Sequence, residues 1–182
     1  GPGIASTSSL ANFYGSSPNS GQVSLTGNVT LNKDVTISST PNPSGVVVPT
    51  VGGPVAFANK VDSANATNNA LNVTAAAITF SGDIGTGQKL SSLTLSGTNI
   101  SAGKISLDTS GSNGALSVTN SSSSSIAGIY TGKTLTKDGS GDSGNGTLTL
   151  SAANVYSGVT TINDGALAIS STSNLGTSSG VT

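Results

Sequence analysis

The chain has 182 residues, enough for one domain with a sizeable core, yet it offers three Phe, three Tyr, no Trp, no Met and no Cys to build one. Six Lys stand against seven Asp, with no Arg, Glu or His, for a net charge of −1. That composition excludes a basic nucleic-acid surface, a bidentate grip on phosphate and a disulfide framework, and the absence of an 18-residue apolar run excludes a membrane-crossing helix.

A mean hydropathy of +0.08 with 7% charged residues argues against disorder, because disordered chains are hydrophilic and charged. The apolar stock is Val, Leu, Ile and Ala among many Ser, Thr, Gly and Asn. These residues suit thin strands joined by tight corners. The first 20 residues read as a cap or tail, and the opening Gly1-Pro2-Gly3 reads as a cleavage remnant, so the chain is taken as a piece of a larger protein. Three triplets follow, six residues apart: Val23-Ser24-Leu25, Val29-Thr30-Leu31 and Val35-Thr36-Ile37. Each points two apolar side chains one way and a hydroxyl the other, the period-2 signature of a strand. Thr26-Gly27-Asn28 and Asn32-Lys33-Asp34 are the intervening turns. The six-residue step favours three sides of one coil over a meander.

Residues 41–54 hold four Pro and read as an insertion loop protruding from the body, with Val46 to Val48 as an edge strand. More triplets follow: Val55 to Phe57, Leu71 to Val73, Ile78 to Phe80, Leu93 to Leu95, Ile105 to Leu107, Leu116 to Val118 and Ile126 to Tyr130. Phe57 and Phe80 lie 23 residues apart in matching contexts, which predicts a coil of roughly 20 to 25 residues. The serine run from Asn120 to Ser125 reads as a turn or loop. Residues 133–169 close the pattern with Leu148/Leu150, Thr160/Ile162 and Leu167/Ile169 between turns at Asn154, Gly158 and Asp164-Gly165.

The stretch Gly146 to Ile169 resembles the passenger-associated transport repeat of bacterial autotransporter passengers. The segment Val55 to Leu95, with its Thr79-Phe80-Ser81-Gly82-Asp83-Ile84-Gly85 phrase and the following Leu90-Ser91-Ser92-Leu93, resembles the repeats of filamentous-haemagglutinin-type adhesins. One departure stands out. In the transport repeat Lys-x-Gly-x-Gly runs directly into Thr-Leu, whereas here Asp142 to Gly146 separates Lys137-Asp138-Gly139-Ser140-Gly141 from Thr147-Leu148. The resemblance implies a right-handed parallel β-solenoid and an exported bacterial surface protein, anchored in the outer membrane through parts outside this chain.

Chemistry is sparse. The loop Asp138 to Gly146 is the best metal candidate, with Asp138, Asp142 and Asn145 as oxygen ligands for Ca²⁺. It departs from the EF-hand pattern, since position six is Ser143 and position twelve is Thr149. A plain corner is the simpler reading, and no metal or cofactor is expected. The seven Asp are widely spaced beside turn residues, with no His or Arg to assist them, so neither glycoside cleavage nor nucleophilic catalysis is expected. Six Asn-x-Ser/Thr sequons, at Asn28, Asn65, Asn72, Asn99, Asn120 and Asn145, are what chance supplies in this composition. Asn154 and Asn163 are expected to form hydrogen-bonded ladders at coil corners. Phe13, Tyr14, Tyr130 and Tyr156 are candidates for a sugar-stacking patch, but the favoured reading puts Phe57 and Phe80 in the core and Phe13 and Tyr14 as a cap over one end.

The chain therefore reads as a single all-β fragment, a parallel β-solenoid with a Pro-rich protruding loop. It is a stalk or adhesive segment of an extracellular bacterial surface protein and not an enzyme. The partners expected are host-surface or glycan ligands, or other copies of the chain. The alternatives are a glycan- or protein-binding module, a polysaccharide-active β-helix enzyme and a phage tail-fibre segment.

Overall fold

The computed structural model describes residues 11–12, 22–39, 52–64, 68–128, 130–139 and 146–182. The first three triplets settle the topology. Val23–Leu25, Val29–Leu31 and Val35–Ser38 do not pair with one another; each pairs with the strand one coil further on, Val23 opposite Val55, Val29 opposite Val61 and Val35 opposite Leu71. Among the described residues every strand pairing is parallel. A chain that turns three times and then lies in register on its own previous coil is a parallel β-solenoid. The one helical element described is the 3-10 turn Thr172–Leu175 near the end.

Three faces run along the stack. On the first, Leu71, Leu93, Leu116 and Leu135 stand directly opposite one another, so successive coils take 22, 23 and 19 residues. Thr160–Ile162 continues this face below Thr134–Asp138, and Ala11–Asn12 adds a rung above Ile37 and Ser38. On the second face, Val55–Phe57 sits between Val23–Leu25 and the end of Leu71–Phe80, and the ladder continues through Ser124–Ile126 and Thr147–Leu150 to Ala166–Ile169. The third face is the most interrupted. It holds Val29–Leu31, Val61–Ser63, single bridges at Ile84 and Leu90, Ile105–Ser106 and Tyr130–Thr131.

Leu71–Phe80 and Ser92–Ala102 are long because each crosses from the first face to the second without leaving the ladder. The bend brings backbone against backbone: a Cβ on Gly97 would stand 2.5 Å from the Ala75 carbonyl oxygen. Only glycine fits that approach.

Inward positions carry small aliphatics at almost every rung, and 27 of the side chains that close the core are Val, Leu, Ile, Ala or Phe, with Tyr130 and Tyr156 added. Phe57 and Phe80 pair in register and stack with centroids 4.4 Å apart and planes 4° from parallel. The predicted coil repeat is thus visible as a physical contact. The next rung of that column holds Ala102, opposite Ile126.

One expectation changes and another lies outside the described residues. The serine run is no loose loop: Asn120 ends the strand Ala115–Asn120 and is fully buried, and Ser124 and Ser125 open the strand Ser124–Ile126. Small hydroxyl residues continue a strand when their own oxygens take over a ladder bond, and here the Ile100 amide donates to Ser124 Oγ at 2.9 Å. The Pro-rich insertion and its edge strand fall on residues 41–51, outside the described residues, as does most of the predicted cap over 1–20. The base of the insertion is described. The Ser39 hydroxyl donates to the Gly53 carbonyl at 2.5 Å, and the Val23 amide donates to the Pro54 carbonyl at 2.9 Å.

Removing one ring of the stacked pair leaves a cavity in a core of small side chains that cannot collapse into it. Phe57→Ala and Phe80→Ala are each expected to lower stability by about 3–5 kcal/mol, read from urea unfolding followed by circular dichroism.

Candidate functional site

The described residues singled out for chemistry lie at corners or in the core. Asp34 Oδ1 accepts from the Ala70 amide at 2.8 Å, and Asp62 Oδ1 accepts from the Gly87 amide at 2.9 Å and the Gln88 amide at 3.2 Å, each tying one coil to the next. Asp108 closes its own turn, accepting from Asn113 Nδ2 at 2.7 Å and from the Ser110 hydroxyl. The Asn113 amide, and then Ser110, hold its carboxyl down at about 2. A carboxyl that acidic gives up no proton near neutrality, so it serves as a cap and not as a general acid.

Asp138, the one described member of the metal candidate, accepts from the Gly139 amide at 2.8 Å and lies 3.5 Å from Asn163 Nδ2. Asp142 and Asn145 fall outside the described residues. Among the described residues no three His, Cys, Asp or Glu side chains gather to hold a metal ion.

Of the aromatic residues proposed for sugar stacking, Tyr130 and Tyr156 are instead fully buried. Their rings meet at 5.0 Å between centroids, one coil apart on the interrupted third face. Large rings fill the width there that short strands leave. Tyr130 Oη donates to the Thr134 carbonyl at 2.6 Å with the Gly114 carbonyl at 3.1 Å, and Tyr156 Oη shares a hydrogen bond with Thr160 Oγ1 at 2.7 Å. Thr160 thereby occupies an inward place in a column of Leu without leaving its hydroxyl bare. Phe13 and Tyr14 lie outside the described residues.

Asn154 behaves as expected. Its Oδ1 accepts from the Tyr130 amide at 2.8 Å and its Nδ2 donates to the Ala152 carbonyl at 3.0 Å and to the Asn174 carbonyl at 2.7 Å. Asn174 repeats the device one coil later, donating to the Ala152 carbonyl at 2.7 Å. Asn163 is exposed at its corner, where its Nδ2 donates to Asp138 Oδ2 of the preceding coil at 3.5 Å. Among the sequons, Asn120 is fully buried, whereas Asn28 and Asn99 stand exposed.

One residue escaped the sequence reading. Lys137 is fully buried at an inward position, in register with Val118 above and Ile162 below. Its ammonium donates to the Asp138 carbonyl and, at 3.1 Å, to the Asp164 carbonyl. Burial lowers its pKa, while Asp164 and Asp138 pull it back up. Asp138 and Asp164, widely separated in sequence, meet at this corner: a Cβ on Gly139 would stand 2.2 Å from Asp164 Oδ2. Among the described residues a shallow groove of about 490 Å³ runs across the second face, lined by Ile78, Thr79, Ile100, Ser101, Ser125 and Thr149 among others, with no titratable side chain. Nothing in that groove can exchange a proton near neutral pH.

The fold and its corners define the class of the chain as a parallel β-solenoid, a stack of coils tied together at their turns. The family model described as the passenger-associated transport repeat matches residues 143–169, the coil whose first turn begins beside Lys137. The repeat and the solenoid together fit an autotransporter passenger, and the repeat implies an exported, surface-type protein. No curated protein and no solved structure matches the chain.

Burial raises the pKa of both core phenols, with Tyr156 adding to the effect on Tyr130. A phenol kept protonated in the fold but free to ionise near pH 10 when unfolded makes the unfolded state lose its proton first. Stability is therefore complete below about pH 10 and declines as pH climbs beyond it. Tyrosinate absorbance in the near ultraviolet should show the Tyr130 and Tyr156 phenols appearing together with unfolding, not before it.

Proposed function

We propose that this chain is a mechanical segment of an autotransporter passenger, held at the bacterial cell surface through outer-membrane parts beyond it, where it supports adhesion or cell–cell aggregation. The observation that carries this reading is the parallel ladder in which the strands of the matched repeat stack on the preceding coil, with corner Asp and Asn side chains spent on tying coils together. A stack of this kind resists bending because each rung is bonded on both sides. Corner Asp and Asn side chains such as Asp34, Asp62 and Asn154 are taken up by backbone amides and carbonyls, which supports a non-enzymatic role. Host-surface molecules, glycans or further copies of the chain are the partners this role calls for, and the exposed outer faces of Ser, Thr and Asn are the surface they would meet.

Fusing the chain to an outer-membrane barrel on a Gram-negative cell tests this directly. The displayed segment should resist added protease and should increase settling of the cells or their attachment to host cells and glycan-coated surfaces. A segment that reaches the surface folded, yet changes neither settling nor attachment, would remove the adhesive part of the proposal. Release of oligosaccharides from any offered polysaccharide would overturn the non-enzymatic part.

A further inference from the structure

A stack of aliphatic triplets has a register problem. Sliding one coil by a single residue turns its apolar side chains outward and is heavily penalised, but sliding it by two keeps every Leu, Ile and Val inside. On the first face the rungs Leu116/Val118, Leu135/Lys137 and Thr160/Ile162 follow one another in register. Apolar burial alone distinguishes poorly between that register and one shifted by two residues. Polar groups with fixed partners do distinguish them.

Lys137 is such a group. Its ammonium has three donors and no acceptor, and it is fully buried. It reaches the Asp138 carbonyl of its own corner and the Asp164 carbonyl of the next, so its second partner is in place only when Asp164-Gly165 sits over Asp138-Gly139. The upper corner is shaped to admit it. Gly165 has φ +79°, and a Cβ there would stand 2.8 Å from Lys137 Nζ and 2.5 Å from the Gly146 carbonyl oxygen. Asn120 adds a neighbouring tie, donating from Nδ2 to the Thr147 carbonyl at 3.2 Å, and the fully buried Asn120 presses on Gly146. Both ties meet the coil at its first turn.

We propose that Lys137 is a register lock, a buried ammonium retained to fix where the coil of residues 147–169 seats on the coil before it, with Asn120 as the second pin. The charged groups facing Lys137 are Asp138 and Asp164. The lock holds by matching donors to carbonyls and not by adding stability, because a buried cation costs desolvation that an apolar side chain of similar length avoids.

The chain has no cysteine, so engineered pairs report register without background. Thr136 and Thr161 are opposite in the native pairing. Thr136→Cys with Thr161→Cys reads the native register, and Thr136→Cys with Asn163→Cys reads a two-residue slip. With Lys137 present, only the native pair should oxidise to a disulfide. With Lys137→Met, cross-linking of the slipped pair should rise about tenfold, the thermal midpoint should hold or increase, and the β-sheet circular dichroism should stay the same. Lys137→Gln, which keeps a donor amide, should return the native pair alone. If Lys137→Met cross-links only the native pair, the proposal is overturned. Loss of the fold in Lys137→Met would overturn it too, since the ammonium would then be carrying stability and not register.

Discussion

Parallel strands that stack coil on coil leave no free edge inside the molecule. Every amide and carbonyl of a rung must find its partner on the rung above or below, and side chains at the corners must satisfy whatever the turns leave open. This constraint dictates most of what is seen. Inward positions are confined to short aliphatics, since two rungs lie only about 4.8 Å apart and a larger side chain must be matched by its neighbour. Phe57 and Phe80 meet this requirement by stacking, and Tyr130 and Tyr156 by tilting against each other on the face where the strands are shortest.

The same constraint assigns the polar residues. Asp34, Asp62 and Asn154 each carry a bond between consecutive coils, and Asn59 Nδ2 and Asn69 Nδ2 do so to the Thr26 and Leu31 carbonyls at 2.6 Å each. An Asp or Asn at a corner is therefore a structural member of the ladder, even where its isolated appearance in the sequence suggests a ligand or a catalytic carboxylate. Charge is scarce because most corners need only one acceptor or one donor, and Lys137 is the described exception that takes a full charge into the core.

The strands were legible because period-2 alternation is a local signal, carried by Val23 to Leu25 or Leu116 to Val118 without reference to anything distant. The coil length was legible where two large residues marked it, at Phe57 and Phe80. Residues whose role depends on a neighbour a coil away were not legible. Lys137 follows Leu135 in an ordinary alternating triplet and looks like a solvated strand end, and only the stacking of Val118 and Ile162 in the same column shows that it points inward. Tyr130 and Tyr156 looked available for ligands because a lone ring between turns carries no sign of the ring beneath it. The serine run failed for a related reason: the hydroxyl of Ser124 stands in for a backbone carbonyl as acceptor of the Ile100 amide, which residue type alone does not announce. The corner at Asp138 and Asp164 was read as two separate turns for the same reason, since contact between coils is invisible to spacing along one coil.

The hydroxyl of Ser39 closing on the carbonyl of Gly53 separates two kinds of change that evolution can make to this molecule. Within the strands on either side of that bond a residue gained or lost would turn the inward side chains outward, so change there is confined to substitution. The Ser39–Gly53 bond fixes the two ends of the segment between them, and lengthening a chain segment between fixed ends costs only about 0.6 kcal/mol for each doubling. Length can thus accumulate at one address while the columns on either side keep their register, which also makes that address the natural place to insert a foreign sequence.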